Sequence, residues 1–439
     1  MGNTVARLYG RMVKADDAAV EKLPAEVRRN VPGNGLRLVA ANALQNAGDQ
    51  VVSASTVLAW LVASLGAPGW IIGLLVPVRE SGSMLPQAAL TPWVRGRRQR
   101  KWIWVAGAAG QAIAVAAMAF TAAVWTGTTA GIAILAELAV FALARALASI
   151  ASKDVQGRTI PKGQRGQING IAALASGVVA VTVGLGIRLL GGSEPNSGAL
   201  AALLGAASLA WLAGLVVFAQ IKEPAGETGE TANYDDDGGC LARSWGLLRD
   251  DTPFRKFVMV RALLLVSALS PPFIVSLAAE QGAGGLSGLG PFVIASGLAG
   301  ILGGQLSGRL ADRSSRNLMA WGAAASSLVV LVLLAAAAVP AVRGSGWLYP
   351  AAFFLLALTH VAVRVARKTY VVDMATGDRR TDYVAVSNTA MAVLLLVAGG
   401  ISSALASFGT GFSLLFLALL GIAGIIVARS LPEVSAGQR

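Results

Sequence analysis

Twelve long apolar runs recur along the 439-residue chain, each near the roughly 20 residues that a helix needs to cross the hydrocarbon core of a bilayer. The first six fall at roughly 37–64, 69–91, 102–125, 128–151, 167–190 and 198–221. After a polar stretch, six more fall at roughly 256–279, 287–310, 318–340, 347–367, 384–407 and 411–430. Hydrocarbon offers no hydrogen-bond partner to a backbone N–H or C=O. A lone run of this length must therefore satisfy its own backbone, which a helix does and a strand does not. With 55% hydrophobic and 13% charged residues, the chain has more apolar surface than a soluble domain could cover. The expected fold class is an all-α membrane protein, with twelve transmembrane helices in two six-helix pseudo-repeated bundles.

The formal net charge of +13 would suit nucleic acid if it were spread over a soluble surface, but the basic residues are confined to alternate loops. One set of loops carries Arg95, Arg97, Arg98, Arg100 and Lys101, then Lys153, Arg158, Lys162 and Arg165, then Arg243, Arg249, Arg255 and Lys256. The same side continues with Arg313 and Arg316, then Lys368, Arg379 and Arg380, whereas the opposite loops hold only Arg343, with Arg188 near a span end. Cytoplasmic loops keep such an excess of Lys and Arg, so both termini and the central loop are expected in the cytoplasm, in a multi-pass bacterial inner membrane protein. A single missed span would scramble the alternation. This face is called the basic side below.

The expected organisation is a cytoplasmic N-terminal tail over 1–35, a six-helix bundle over 36–221 and a cytoplasmic central loop over 222–253. A second six-helix bundle follows over 254–430, then a C-terminal tail over 431–439. The tail over 1–35 mixes acidic and basic residues without an apolar core, which argues for a helix lying near lipid headgroups rather than a signal peptide. Cys240 is the only cysteine, which excludes an internal disulfide, and Asp235–Asp237 reads as a solvated linker, so no metal site is expected. No phosphate-cradling glycine loop with Lys-Ser/Thr is present, and no cofactor is expected. A weak repeat relates the halves: at a constant offset, Lys153 falls on Lys368, Arg165 on Arg380 and Arg145 on His360.

The loop after the eighth run reads Gly308-Arg309-Leu310-Ala311-Asp312-Arg313-Ser314-Ser315-Arg316. Its counterpart after the second run reads Ala89-Leu90-Thr91-Pro92-Trp93-Val94-Arg95-Gly96-Arg97-Arg98, and Pro161-Lys162-Gly163-Gln164-Arg165-Gly166 precedes the fifth. At these loops the chain resembles the major facilitator superfamily of secondary transporters, whose signature runs Gly-x-x-x-Asp-Arg-x-Gly-Arg-Arg in outline. The resemblance implies alternating access, with a cytoplasmic gate built from Gly308, Asp312, Arg313 and Arg316 of one half and Arg97, Arg98 and Arg165 of the other. Asp312 can cap a helix N-terminus and meet an Arg across the interface in one state only. The first half has Trp93 where the family has Asp, which implies a weakened or rebuilt latch. Its fourth run has Glu137-Leu138-Ala139 at the midpoint where the family often has Arg, and its fifth run lacks proline, which argues against drug/proton antiport.

Ionisable groups inside spans cost about 2.5–3.5 kcal/mol each at the bilayer centre, so they mark functional pathways. In the first run Asn42, Gln45, Asn46, Asp49, Gln50 and Ser53 share one helical face, which is expected to line an internal cavity. Asp49 is either the carboxylate that carries a coupled proton or a structural partner of a cation, Arg79 being the obvious one. In the second case Glu80 or Glu137 is left to carry the proton. Glu137 and Arg145 share a face of the fourth run, Arg261 and Arg364 read as snorkelling, and His360 reads as cavity or core. Ser270-Pro271-Pro272 is expected to break the seventh run. The expected function is proton-coupled movement of a small solute across the inner membrane. The expected partners are that solute, a proton or other coupling ion and the bilayer, without nucleic acid, and the chain acts as a monomer. A non-transporting scaffold that keeps the fold is the alternative. No catalytic cluster points to an enzyme.

Overall fold

The computed structural model describes residues 2–13, 21, 25–161, 164–190, 197–224, 246–281, 288–374 and 379–434. Within them the regular structure is helical throughout. Helix α1 (Gly2–Met12) precedes α2 (Ala25–Val51) and α3 (Val57–Ser64), which divide the first apolar run between them. The second run is likewise split into α4 (Gly69–Met84) and α5 (Pro86–Arg95). Then come α6 (Lys101–Val124), α7 (Gly127–Thr159), α8 (Arg165–Leu190) and α9 (Ser197–Ala219). Beyond the central loop lie α10 (Thr252–Leu263), α11 (Val266–Glu280), α12 (Gly290–Arg313) and α13 (Ser315–Ala337). A single turn, α14 (Pro340–Arg343), leads to α15 (Leu348–Met374), α16 (Arg379–Ala406) and α17 (Thr410–Arg429). Asp235–Asp237 and Cys240 lie outside the described residues.

Nine of the described helices, with α10 and α11 taken as one, are long and apolar enough to cross a membrane, and Gly290–Gly303 adds a shorter apolar stretch. The first two runs fall outside this group: α2 is long but polar, α3 is short, and the second run is divided between two short helices. Between α2 and α3, Ser53, Ser55 and Thr56 supply hydroxyls that compete for local bonds. Here the Ser53 and Ser55 hydroxyls lie 3.2 Å apart, and the Leu58 N–H donates to the Ser53 carbonyl at 3.0 Å. In the seventh run the interruption falls at Leu264–Leu265, and Pro271 and Pro272 lie within α11, which corrects the expected position. A proline ring crowds the carbonyl a turn before it, so the distortion is relieved on the N-terminal side.

The helix contacts pair off between the first and second sets. Helices α6 and α7 pack together as do α13 and α15; α6 with α9 matches α13 with α17; α4 with α7 matches α12 with α15. Across the sets, α4 lies along α16, α8 along α12, and α11 against α3 and α4. Small residues set these seams. Gly399 faces Pro77, where a Cβ would come within 2.1 Å of the ring, and a Cβ on Gly184 would meet the Ile294 nitrogen at 2.8 Å and the Gly290 carbonyl at 2.9 Å.

The apolar core is divided unevenly. Away from the basic side, one continuous cluster runs from Val57, Trp60 and Ile71 of the first set to Phe273, Phe292 and Phe353 of the second. On the basic side the core splits. Tyr9, Leu38, Trp104, Val155 and Phe218 belong to a cluster confined to the first set, and Phe254, Phe257, Met319 and Tyr370 to one confined to the second. Outward-facing Ile113, Phe120, Val178, Leu209, Leu328 and Ile426 stay exposed, as lipid contact requires. Helix α1 docks through Tyr9, whose ring fills the space over Gly35 and whose hydroxyl donates to Gln164 at 2.7 Å. Burial pushes that hydroxyl up to about 12, so it remains a donor.

The glycine seam yields a paired test. Gly184→Ala overpacks α8 against the α12 backbone and is expected to cost about 1–3 kcal/mol, read as a lower melting temperature in detergent. Gly186→Ala, on the same helix with nothing within 4 Å of its Cβ position, is expected to be neutral or slightly stabilising.

Candidate functional site

The break after Val51 leaves Asp49 in the last turn of α2, and a stack of aromatic contacts orients that turn. Gly48 admits the Trp211 ring of α9, which a Cβ would approach to 2.6 Å. Trp211 meets Phe141 of α7 edge-on at 5.5 Å, and the Arg79 guanidinium lies over the Phe141 ring at 5.8 Å. From α4, Arg79 donates to Asp49 Oδ1 at 3.2 Å. From α7, Arg145 donates to Asp49 Oδ2. The Asp49 side chain is only 11% exposed, so one carboxylate serves two guanidinium groups in a largely dehydrated place, and a positive charge is left over.

This geometry favours the structural-partner reading of Asp49. Arg145, which shares a face with Glu137, pairs with Asp49. Glu137, on α7, has Oε1 accepting from Thr121 Oγ1 of α6 at 2.8 Å, while its Oε2 is buried without a partner. The polar stripe is also divided. Gln50 donates to Ser176 of α8 at 3.2 Å, and the Ser176 hydroxyl donates to the Asn46 carbonyl at 3.3 Å, so this edge ties two helices together. Gln45 is buried, and Asn42 is half-buried on the same helix.

Adjacent helical residues point about 100° apart, and α4 uses this to serve both sets. Arg79 turns to Asp49, while Glu80 is half-buried within electrostatic reach of Arg367 of α15. The next residue, Ser81, donates to the Ala392 carbonyl of α16 at 2.7 Å, and Arg367 reaches the Met391 sulfur one position earlier. Glu80 and Arg367 thus lie on neighbouring helices, within electrostatic reach and without an ion pair between them. His360 Nδ1 lies 3.3 Å from the Ser267 hydroxyl of α11, which places it among the inner helices of the second set. Arg261 does not snorkel: it is 8% exposed, donates to Ser387 at 2.7 Å and to Asn388 at 3.4 Å, and keeps a buried Nε without a partner. The sequence missed Arg261 and Arg367 because a cation near a span end reads as interfacial.

At the basic side the residues expected to form the gate serve their own sets. Arg165 donates to the Gly157 and Ile160 carbonyls at 2.5 and 2.9 Å, closing the C-terminus of α7. Arg316 pairs with Glu433 at 3.5 Å, and Arg97 is exposed over the Trp93 ring at 5.1 Å. Arg98 and Arg313 are exposed. Ser314 caps α13, its hydroxyl accepting from the Asn317 N–H at 3.1 Å. Gly308 and Asp312 fall in α12, and the Asp312 side chain is not among those described.

Two acidic residues absent from the expected site form matching clasps here. Glu223, after α9, accepts from the N–H groups of Arg100 and Lys101 at 3.1 and 2.8 Å, at the start of α6. Burial pushes its carboxyl above the usual range, against the pull of those two donors. Glu433, after α17, accepts from Ser314 at the start of α13. The signal was present as Glu-Pro and Pro-Glu, each just after the last helix of its set.

No family model matches the sequence, and no curated protein matches it. Solved structures do match in fold. A D-xylose-proton symporter aligns with a TM-score of 0.70 at 13% identity, covering 92% of this chain and 99% of that one. A POT family transporter in complex with a thioalcohol-conjugated peptide aligns at 0.70 and 11% identity, covering 94% and 98%. The nucleoside transporter NupG, as a point mutant, aligns at 0.67 and 12% identity, covering 91% and 99%. The chain has the fold of major facilitator superfamily transporters, and no subfamily is identified.

Removing one member of a buried ion group strands the others. Asp49→Asn is expected to destabilise by about 3 kcal/mol, seen as a lower melting temperature, because Arg79 and Arg145 lose their shared counter-charge. Adding Arg145→Gln to Asp49→Asn should recover part of that loss in a double-mutant cycle. Glu137→Gln keeps an acceptor for Thr121 and should change little.

Proposed function

We propose that the chain is a secondary transporter that moves a small solute across the bacterial inner membrane by alternating access, coupled to protons. The observation that carries this reading is the set of charged groups held at the junction of the two helix sets. Asp49, Arg79 and Arg145 lie on one side, and Glu80 is within electrostatic reach of Arg367 on the other. Charges are kept at membrane depth for pathways and relays, since lipid would exclude them. The paired helix contacts support twelve spans in two repeated bundles, over 36–221 and 254–430, with the two interrupted runs and the glycine-rich α12 completing the count. Basic loops support a cytoplasmic basic side carrying both termini.

The split of the apolar core on that side, with one shared cluster on the other, supports a cytoplasm-facing state. Gate residues bonded within their own sets fit the same state, because a latch across the sets belongs to its opposite. With Asp49 held by two guanidinium groups, Glu80 is the better proton carrier. It is half-buried, it sits on the moving seam, and its counter-charge belongs to the other set. The proton-symporting and solute-transporting neighbours in fold support the class and leave the substrate open.

In proteoliposomes with a trapped pH dye, a panel of sugars, dipeptides, nucleosides and organic anions should include a solute whose entry carries protons. Glu80→Gln should abolish accumulation driven by a pH gradient while solute exchange continues. Absence of flux for every panel member in the native protein would favour the scaffold reading. Orientation is read from Cys240: a membrane-impermeant maleimide should label it in inverted vesicles and leave it unlabelled in intact cells.

A further inference from the structure

The second helix set holds more positive charge than its own residues neutralise. His360, Arg364, Arg367 and Lys368 of α15 are spaced i, i+4, i+7 and i+8, so they share one face. Their contacts locate that face. His360 meets Ser267 of α11 and Arg367 meets Met391 of α16, so the stripe looks into the set and not toward lipid. Arg261 of α10, bonded to Ser387 and Asn388, lies within electrostatic reach of Arg367 and Lys368. Lys368 in turn feels Lys153 of the first set.

Among the described residues, none of Arg261, Arg364, Arg367 and Lys368 has a carboxylate at salt-bridge distance. The guanidinium Nε atoms of Arg261 and Arg367 are buried without any partner. Across the seam, Asp49 is already shared by two arginines, and among the described residues Glu80 is the carboxylate within electrostatic reach of Arg367. Like charges gathered in a poorly hydrated place repel, and a buried guanidinium with an unused N–H calls for an acceptor. A solute with a carboxylate or phosphate group meets both needs, and guanidinium groups bind such anions through paired N–H donors.

We propose that the solute is a small organic or inorganic anion, and that Arg261 and Arg367 hold its charged group from the second set. The proposal rests on the transporter reading and narrows it to a substrate class. Arg364 and Lys368, more exposed on the same stripe, draw the anion in from the basic side. Neutralising Glu80 by protonation would leave the bound anion as the counter-charge of Arg367, which links proton and anion entry.

The test measures binding separately from flux. Full-length protein in lipid nanodiscs is titrated at constant ionic strength with inorganic phosphate, succinate or pyruvate, and with neutral xylose and a dipeptide, and thermal unfolding is followed. At least one anion should raise the unfolding temperature at millimolar concentration. Arg261→Gln and Arg367→Gln should each weaken it by about tenfold or more. Arg367→Lys should restore part of the affinity, and Arg429→Gln, at an exposed helix end, should leave it unchanged. Stabilisation by a neutral solute alone, by no anion at all, or by an anion that binds equally well to both glutamine variants would overturn the proposal. An anion that binds through these arginines without crossing the membrane would instead leave the site standing and remove the transport reading.

Discussion

Asp49 holds two arginines from two other helices at the point where the first membrane helix breaks, and the placement of α2, α4 and α7 follows from that bond. A lone carboxylate or guanidinium at membrane depth is costly, and a carboxylate that accepts from Arg79 on one oxygen and Arg145 on the other removes most of the cost. The packing beside it serves the same arrangement: Gly48 admits Trp211, which meets Phe141, and Arg79 lies over the Phe141 ring. With Arg79 committed there, helical geometry sends Glu80 to the other helix set.

The two ends of the bundle are built on different physics. One end is joined by glycine-mediated backbone approach and a shared apolar cluster, a dry contact that either forms over its whole length or not at all. The other end is built from two separate cores, each closed by its own polar clasp. Glu223 ties the end of α9 to the start of α6, and Glu433 repeats the device between α17 and α13. Each clasp ties a set to itself and not to the other, an arrangement that fits the alternating access proposed above.

How much of this could be read in advance differs by element. The apolar runs, the alternation of basic loops and the Asp49–Arg79 pairing were legible, because span length and helical spacing are local properties of the chain. The partner of Arg145 was not legible. The carboxylate on its own helix face is Glu137, and only packing decides that Asp49 of another helix is the one it reaches. Arg261 was misread for a related reason. Depth in the membrane is visible in a sequence, but whether a neighbouring helix roofs over a side chain is not. Pro271 and Pro272 foretold an interruption, while the residues that take up the distortion depend on neighbours of α11.

By itself, the sequence determined that the chain is an all-helical membrane protein and which of its faces carries the positive charge. The bilayer imposes both rules on each segment separately. Only the tertiary structure decided which charges neutralise one another, which remain without partners, and on which side the two helix sets are joined. Those outcomes depend on distances between residues far apart in the chain, and helix packing sets such distances.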